Sequence, residues 1–371
     1  DGLNMRHRRR LAAALAALLL LTGCTAGQGT EGNGAESSTP VAETPSEPET
    51  PAFEWTVEAP AAHGLDPAAL ERFHQALEGT VVEAAVTIRD GVIVDEYYAD
   101  GYDADSTFPI HSASKSVTSA LFGIALEEGY FNGVDDLLAG CLPEVNDQAD
   151  TRKQSITMRD LLTQTSGLEW YEWGSGYHNW EEFRTADNWV DYILSREMVA
   201  EPGAVFCYST GNTHLIGAAI ERATGRGLMD YAGEKLFGPL GITSAEWGTD
   251  PQGIADAGNG LTMTARDAAR FGQLFLQGGQ WEGEQLVPAD WVSASTTTQA
   301  MGYGDGTGSY GYQWWIRQMG AYDSFFAFGA YGQYIIVLPE LEMVTVLTSA
   351  PGNSYTARNL MIDYLLPAVV E

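Results

Sequence analysis

Lysine is nearly missing from this chain. Of the 19 basic residues among 371, only Lys115, Lys153 and Lys235 are lysine, against 50 Asp and Glu, for a formal charge of -31. That balance argues against nucleic acid as a partner, because phosphate binding needs clustered Lys and Arg. Cysteine is as scarce, with Cys24, Cys141 and Cys207 alone. This is too few for a disulfide framework, and whether Cys141 and Cys207 pair stays open. The six His are scattered, and no Cys/His cluster has metal-ligand spacing, so neither a metal nor another cofactor is expected. A Gly-x-Ser-x-Gly elbow is absent, which argues against a histidine-based triad of that type. Repeats of 20–50 residues are absent too. The apolar run Leu11 to Leu21 has 11 residues, too few to span a bilayer as a helix.

That run follows the basic stretch Met5-Arg6-His7-Arg8-Arg9-Arg10, so it reads as a signal peptide over 1–23 with Met5 as the start. Leu21-Thr22-Gly23-Cys24 resembles a bacterial lipoprotein processing site. Lipid on Cys24 would anchor the protein to the membrane on its extracytoplasmic face without spanning it. From Thr25 to about Pro51 the chain is mostly Gly, Ser, Thr, Pro and Glu, with almost no large apolar residue. Such a composition cannot form a core, so residues 24–55 read as a tether.

Over the full 371 residues, 44% hydrophobic and 19% charged residues suit a large globular core. Asp66 followed by Pro67 opens a helix to about Glu78. Ala84 to Ile88 and Val92 to Tyr98 read as strands around an Arg89-Asp90-Gly91 turn. Helical patterns dominate from Gly133 to about Gly241: Met158 to Thr163, Trp189 to Leu194, Thr213 to Thr224 and Met229 to Phe237. Strands return at Ser324 to Phe328, Tyr334 to Leu338 and Met343 to Leu347, before a last helix from about Tyr355 to Leu366. The fold class expected is α/β: an antiparallel sheet built from both chain ends and flanked by helices, with an inserted, mostly helical subdomain. The domain 56–371 would divide into an α/β lobe, 56–130 with 255–371, and a helical lobe, 131–254, with the active site in the cleft between them.

Three stretches bear chemistry. In the first, Pro109 ends an extended segment, and Val117, Ala120, Leu121, Ile124 and Ala125 recur at helical spacing until Gly129, with small hydroxyl residues expected as the cap. Ser112 and Lys115 then lie one turn apart on one face. Burial drives a lysine toward its neutral form, and a neutral amine can take the proton that makes a serine oxygen nucleophilic. A chain with three lysines offers about 0.2 such spacings by chance; the plain alternative is a surface lysine on an amphipathic helix. In the second, Tyr208 stands at a strand-helix junction, where a phenol held near a lysine is expected to have a lowered pKa and to shuttle a proton. Standing alone, a tyrosine is far more often a core residue with its hydroxyl satisfied. In the third, Phe328-Gly329-Ala330-Tyr331-Gly332 runs an apolar strand into glycines, which permits close approach to backbone N–H groups, as an oxyanion hole or a hairpin corner would use it.

Together these stretches resemble the serine β-lactamase and penicillin-binding-protein superfamily, of the class C and esterase-like type. Ser112-Ala113-Ser114-Lys115 matches its Ser-x-x-Lys motif, and Tyr208-Ser209-Thr210 matches Tyr-x-Asn at the tyrosine, with Thr210 in the place of Asn and Asn212 two residues on. Ile156 to Leu168, Phe237 to Gly241 and Gly260 to Asp267 also look like this family. Lactamases and transpeptidases carry Lys-Thr-Gly in the third motif, whose cation holds a substrate carboxylate. This chain has none there, a pattern closer to esterases and aminohexanoate-dimer hydrolases. The resemblance implies a serine hydrolase of small-molecule esters or amides. Ser112 would be the nucleophile, Lys115 with Tyr208 the proton-transfer pair, and the backbone N–H groups of Ser112 and Ala330 the oxyanion hole. Asn212, Trp170, Tyr331 and Gly332 are the expected substrate-binding residues. Aromatics crowd two further stretches, from Trp170 through Tyr177 to Phe183 and from Tyr310 to Trp315, as core or as a pocket lining. Two other readings stand beside this one: a D-alanyl-D-alanine carboxypeptidase or class C-like β-lactamase, and a non-catalytic envelope binding protein of the same fold.

Overall fold

Asp90 and Gly91 both adopt left-handed backbone angles, φ 51° and 80°, and so turn Val82–Arg89 (β1) directly into Val92–Tyr98 (β2). The computed structural model describes residues 53–173 and 179–370. The leader, Cys24, nearly all of the tether and Tyr177 lie outside the described residues.

Five more strands come from the other end of the chain: Ser309–Tyr310 (β3), Trp315–Met319 (β4), Tyr322–Gly329 (β5), Gln333–Leu338 (β6) and Met343–Ser349 (β7). The seven form one antiparallel sheet in the order β2-β1-β7-β6-β5-β4-β3. The two chain ends meet where β1 pairs with β7, in the register Val86 to Val346. All six residues of β6 and all seven of β7 are buried. A strand covered on both faces reads as a near-continuous apolar run, as Tyr334 to Leu338 does and as Met343 to Leu347 does apart from Thr345. The sheet's polar outer members were harder to see. Trp315–Met319 carries Arg317 and Gln318, and neither it nor Ser309–Tyr310 shows a strand pattern.

One face is covered by Pro67–Leu77 (α1) and the last helical run, Thr356–Leu365, through Leu70, Phe73, Leu77, Met361 and Leu365. Asp66 caps α1 by accepting from the Ala68 N–H at 3.0 Å, with Pro67 in the first turn. The other face is covered by a helix absent from the expectations above, Ala265–Leu276, which packs Ala268, Phe271, Leu274 and Phe275 toward the sheet. Thr264 caps it through the Asp267 N–H at 3.1 Å. Beyond this layer lies the helical stretch between the two strand groups. It includes Trp189–Leu194, as expected, and Thr210–Thr224, which begins three residues before the periodicity does.

The helix Ser114–Glu127 (α2) is buried at every position from Ser114 to Ala125. Two of its hydroxyls find partners inside: Ser116 Oγ donates to the Gln313 carbonyl at 2.7 Å and Thr118 Oγ1 to the Ala257 carbonyl at 2.8 Å. A helix enclosed on all sides fixes whatever its first turn presents, because packed interiors leave no room to shift. Among the described residues no helix is long and apolar enough to cross a membrane.

Candidate active site

The chain enters α2 through a 3-10 turn, His111–Ala113, and Ser112 sits on that turn rather than in the α-helix itself. The expected hydroxyl cap is not formed. Neither Ile110 nor Ala113 gives a side-chain cap, and Ser114 Oγ instead donates back to the His111 carbonyl at 2.6 Å. The overlapping tight turn uses backbone contacts where a Ser cap would otherwise act. One turn on, Lys115 Nζ lies 3.0 Å from Ser112 Oγ, and it also donates to Thr210 Oγ1 and the Gly258 carbonyl, each at 2.7 Å. The side chain is only 1% exposed. Burial pushes its pKa down to about 8, although Glu172 and Asp256 pull the other way.

Tyr208 arrives at the same point from the start of Thr210–Thr224 (now α3). Its ring stacks on Trp315 at 5.5 Å, lies 4.9 Å from Trp173, and has Lys115 Nζ 5.0 Å from its centroid. The expected lowering of its pKa does not occur. Burial raises it well above 10, helped by Tyr310 and Glu172, and only a hydrogen-bonding interaction with Ser112 opposes the rise. Desolvation of the phenolate outweighs a neighbouring cation that is itself desolvated. Tyr208 is therefore a protonated donor near neutral pH, and Lys115 is the group of the pair able to accept a proton.

The third stretch closes the site. Gly329 ends β5 against the Ser112 turn so tightly that a Cβ there would meet the Ile110 carbonyl oxygen at 2.2 Å. Only glycine lets the strand end come this close. Ala330 follows, and Tyr331 takes a left-handed φ of 69° at the corner. A cavity of about 450 Å³ opens here, lined by His111, Ser112, Glu172, Trp173, Trp180, Tyr208, Asn259, Phe328, Ala330, Tyr331, Gly352, Ser354 and Tyr355. Six of these thirteen residues are Phe, Trp or Tyr, and no Lys or Arg is part of the lining among the described residues.

Ser112, Lys115, Tyr208, Ala330 and Tyr331 thus come together. The other expected contacts do not. Asn212 is buried inside α3, where Ser209 Oγ accepts its N–H at 3.1 Å and its amide is held by Gln164 and Ser166 at 2.9 and 2.8 Å. Placed third in a capped helix, its side chain turns inward, and Thr210 at the first position faces Lys115. Trp170 is 5% exposed and packs on Phe183 behind the cavity wall. Trp173 and Trp180 hold the wall itself. Gly332 does not line the cavity, and a Cβ there would meet the Ser354 carbonyl and the Ser349 hydroxyl. Tyr310 and Trp315 back Tyr208 as core, and Cys141 and Cys207 are free thiols.

Several lining residues had no sequence signal. His111 has its Nδ1 3.3 Å from Asn259 Oδ1 and its ring edge-on to Tyr331 at 5.5 Å; burial lowers its pKa. Glu172 was one acid among 50, in a loop that showed only its aromatics. Asn259, Ser354 and Tyr355 reach the site from segments remote in sequence.

The beta-lactamase family model matches residues 69–366. The 6-aminohexanoate-dimer hydrolase of Paenarthrobacter ureafaciens is 27% identical over 302 residues, covering 76% of each chain. Lovastatin esterase of Penicillium rubens is 26% identical over 214 residues, 47% of this chain and 53% of its own length. The octameric penicillin-binding protein homologue from Pyrococcus abyssi shares the fold, with a TM-score of 0.66 at 21% identity over 82% of this chain and 78% of that one.

Proposed function

Because this chain belongs to the beta-lactamase family of serine hydrolases, we propose that it cleaves uncharged esters or amides through an acyl-enzyme on Ser112. The observation that supports this most is the buried Lys115 amine 3.0 Å from the Ser112 hydroxyl at a cavity wall. In its neutral form Lys115 takes the Ser112 proton as Oγ attacks the acyl carbon and the carbonyl electron pair moves to oxygen. The oxyanion rests on the backbone N–H groups of Ser112 and Ala330. As the tetrahedral carbon collapses, Tyr208 gives its proton to the leaving group and regains one from the Lys115 ammonium. Water then repeats the sequence on the acyl-enzyme.

The apolar lining without a cation supports a neutral acyl or leaving group and weighs against the penicillin reading. A missing charge-assisted hydrogen bond to a carboxylate costs about 1.5–3 kcal/mol. Benzylpenicillin should therefore be turned over on the order of 10- to 100-fold less efficiently than p-nitrophenyl butyrate. Comparable kcat/KM values for the two would overturn the substrate class. A fluorophosphonate probe should add its mass to the peptide bearing Ser112 and to no other; an unmodified Ser112 would end the assignment.

The leader and Cys24 belong to the same proposal: a lipid-anchored enzyme held outside the cytoplasm by a short tether. In a bacterial host, Cys24→Ala should move the protein from the membrane pellet to the soluble fraction. Unchanged sedimentation would refute the anchor.

A further inference from the structure

A neutral lysine amine has two N–H bonds and one lone pair, and only the lone pair can act as a base. Three groups surround Lys115 Nζ: the Gly258 carbonyl at 2.7 Å, Thr210 Oγ1 at 2.7 Å and Ser112 Oγ at 3.0 Å. The carbonyl can only accept, so it takes one N–H. Whether the second goes to Thr210 or to Ser112 decides whether the amine is aimed for catalysis or away from it.

Glu172 settles the choice. Its Oε1 accepts the Thr210 hydroxyl, and its Oε2 accepts the Thr210 N–H at 2.8 Å and Trp170 Nε1–H at 2.5 Å. A carboxylate has no hydrogen to give, so the Thr210 hydroxyl must point its own at Glu172. Thr210 Oγ1 then presents only lone pairs to Lys115 and takes the second N–H. The amine lone pair is left facing the Ser112 O–H. We propose that Glu172 is a positioning residue that fixes the hydrogen-bond direction of the Thr210–Lys115–Ser112 chain so that Lys115 accepts the serine proton.

The inference rests on the acyl-enzyme reading and adds a residue to it. The proton moves from Ser112 Oγ to Nζ, and the resulting ammonium keeps its bonds to Thr210 and Gly258 while its third N–H points back to the reaction. Thr210 stands where the family motif carries Asn. Because Glu172 Oε2 already accepts two N–H groups and Oε1 a hydroxyl, the carboxylate is committed inward, although it lines the cavity.

Glu172→Gln is the decisive variant because it keeps the shape and reverses one donor. The two N–H groups of Thr210 and Trp170 demand the amide oxygen, which turns Nε2 toward Thr210 Oγ1. The Thr210 hydroxyl must then donate to Lys115, occupying its lone pair. Loss of the carboxylate also removes a charge that favours the ammonium. With p-nitrophenyl butyrate, kcat on the high-pH plateau should fall about 100-fold, the usual scale for a misaligned base. KM should stay within a few-fold, while the acid limb of the profile moves to lower pH. Thr210→Val should lose activity similarly, and Thr210→Ser should restore most of it. A plateau kept in Glu172→Gln overturns the proposal, whether the variant merely melts earlier or shows a raised KM confined to an amino-acid p-nitroanilide with a free amine. Equal activity of Thr210→Val and Thr210→Ser overturns it independently. Failure of the fluorophosphonate to label wild-type Ser112 would fell the underlying reading instead, which separates the two.

Discussion

Replacing Ser112 by Ala is expected to lower kcat for p-nitrophenyl butyrate by about 10⁴-fold or more, the scale on which removing a catalytic serine acts. The substitution deletes one oxygen. It leaves the Lys115 bonds to Thr210 and Gly258, the Gly329 contact and the aromatic wall as they are. Substrate binding should therefore survive, and KM should change little beside the loss in kcat. Ser112 is half-buried on a 3-10 turn, so the melting temperature should move by no more than a few degrees. A variant that keeps a tenth of the wild-type rate would place the nucleophile elsewhere. Ser114 would not be the substitute, because its hydroxyl is engaged with the His111 carbonyl.

Lys115→Met should cost about 10³- to 10⁴-fold in kcat, the upper range for general-base catalysis, and it should change two pH dependences together. The wild-type acid limb in kcat/KM is expected near pH 8, where burial places the Lys115 ammonium. Below that pH the amine holds the proton that would block its lone pair. The same shift governs stability. Unfolded lysine titrates near roughly 10.4, so between pH 8 and about 10 the unfolded chain binds more protons at this site than the folded one. Stability therefore rises with pH across that window, and below pH 8 both states are protonated and the contribution is flat. Lys115→Met removes this rise while leaving every other titrating group in place. Chemical denaturation of both proteins at pH 7.5 and 9.5 should show the wild type gaining relative to the variant. A constant difference would mean that Lys115 is not buried as an amine.

Most of the fold could be read along the chain because burial on both faces writes itself as local pattern. The turn at Asp90-Gly91, the apolar strands Gln333–Leu338 and Met343–Ser349, and the capped start of α1 each depend on neighbours a few residues away. The strand Trp315–Met319 escaped because Arg317 and Gln318 break its apolar pattern; the helix Ala265–Leu276 keeps its apolar residues at helical spacing and was missed all the same, and its charged residues find their partners only in the folded chain. Arg266, for instance, reaches back to Glu96 at 2.6 Å, a partner 170 residues away.

The proposed catalytic pair divides along the same line. That Ser112 and Lys115 share a face follows from three residues of helical geometry, and the sequence by itself was enough to establish it, as it was to establish a sheet drawn from both chain ends. What it could not determine was the environment of each group. The sign of the Tyr208 shift, the inward turn of Asn212, the retreat of Trp170 behind the wall and the grip of Glu172 on Thr210 all depend on which distant segments pack around a side chain. Desolvation and hydrogen-bond direction are set by neighbours in space. In this molecule those neighbours come from α3, from the loop after Gly167 and from the end of β5, and only the tertiary structure brings them to the first turn of one buried helix.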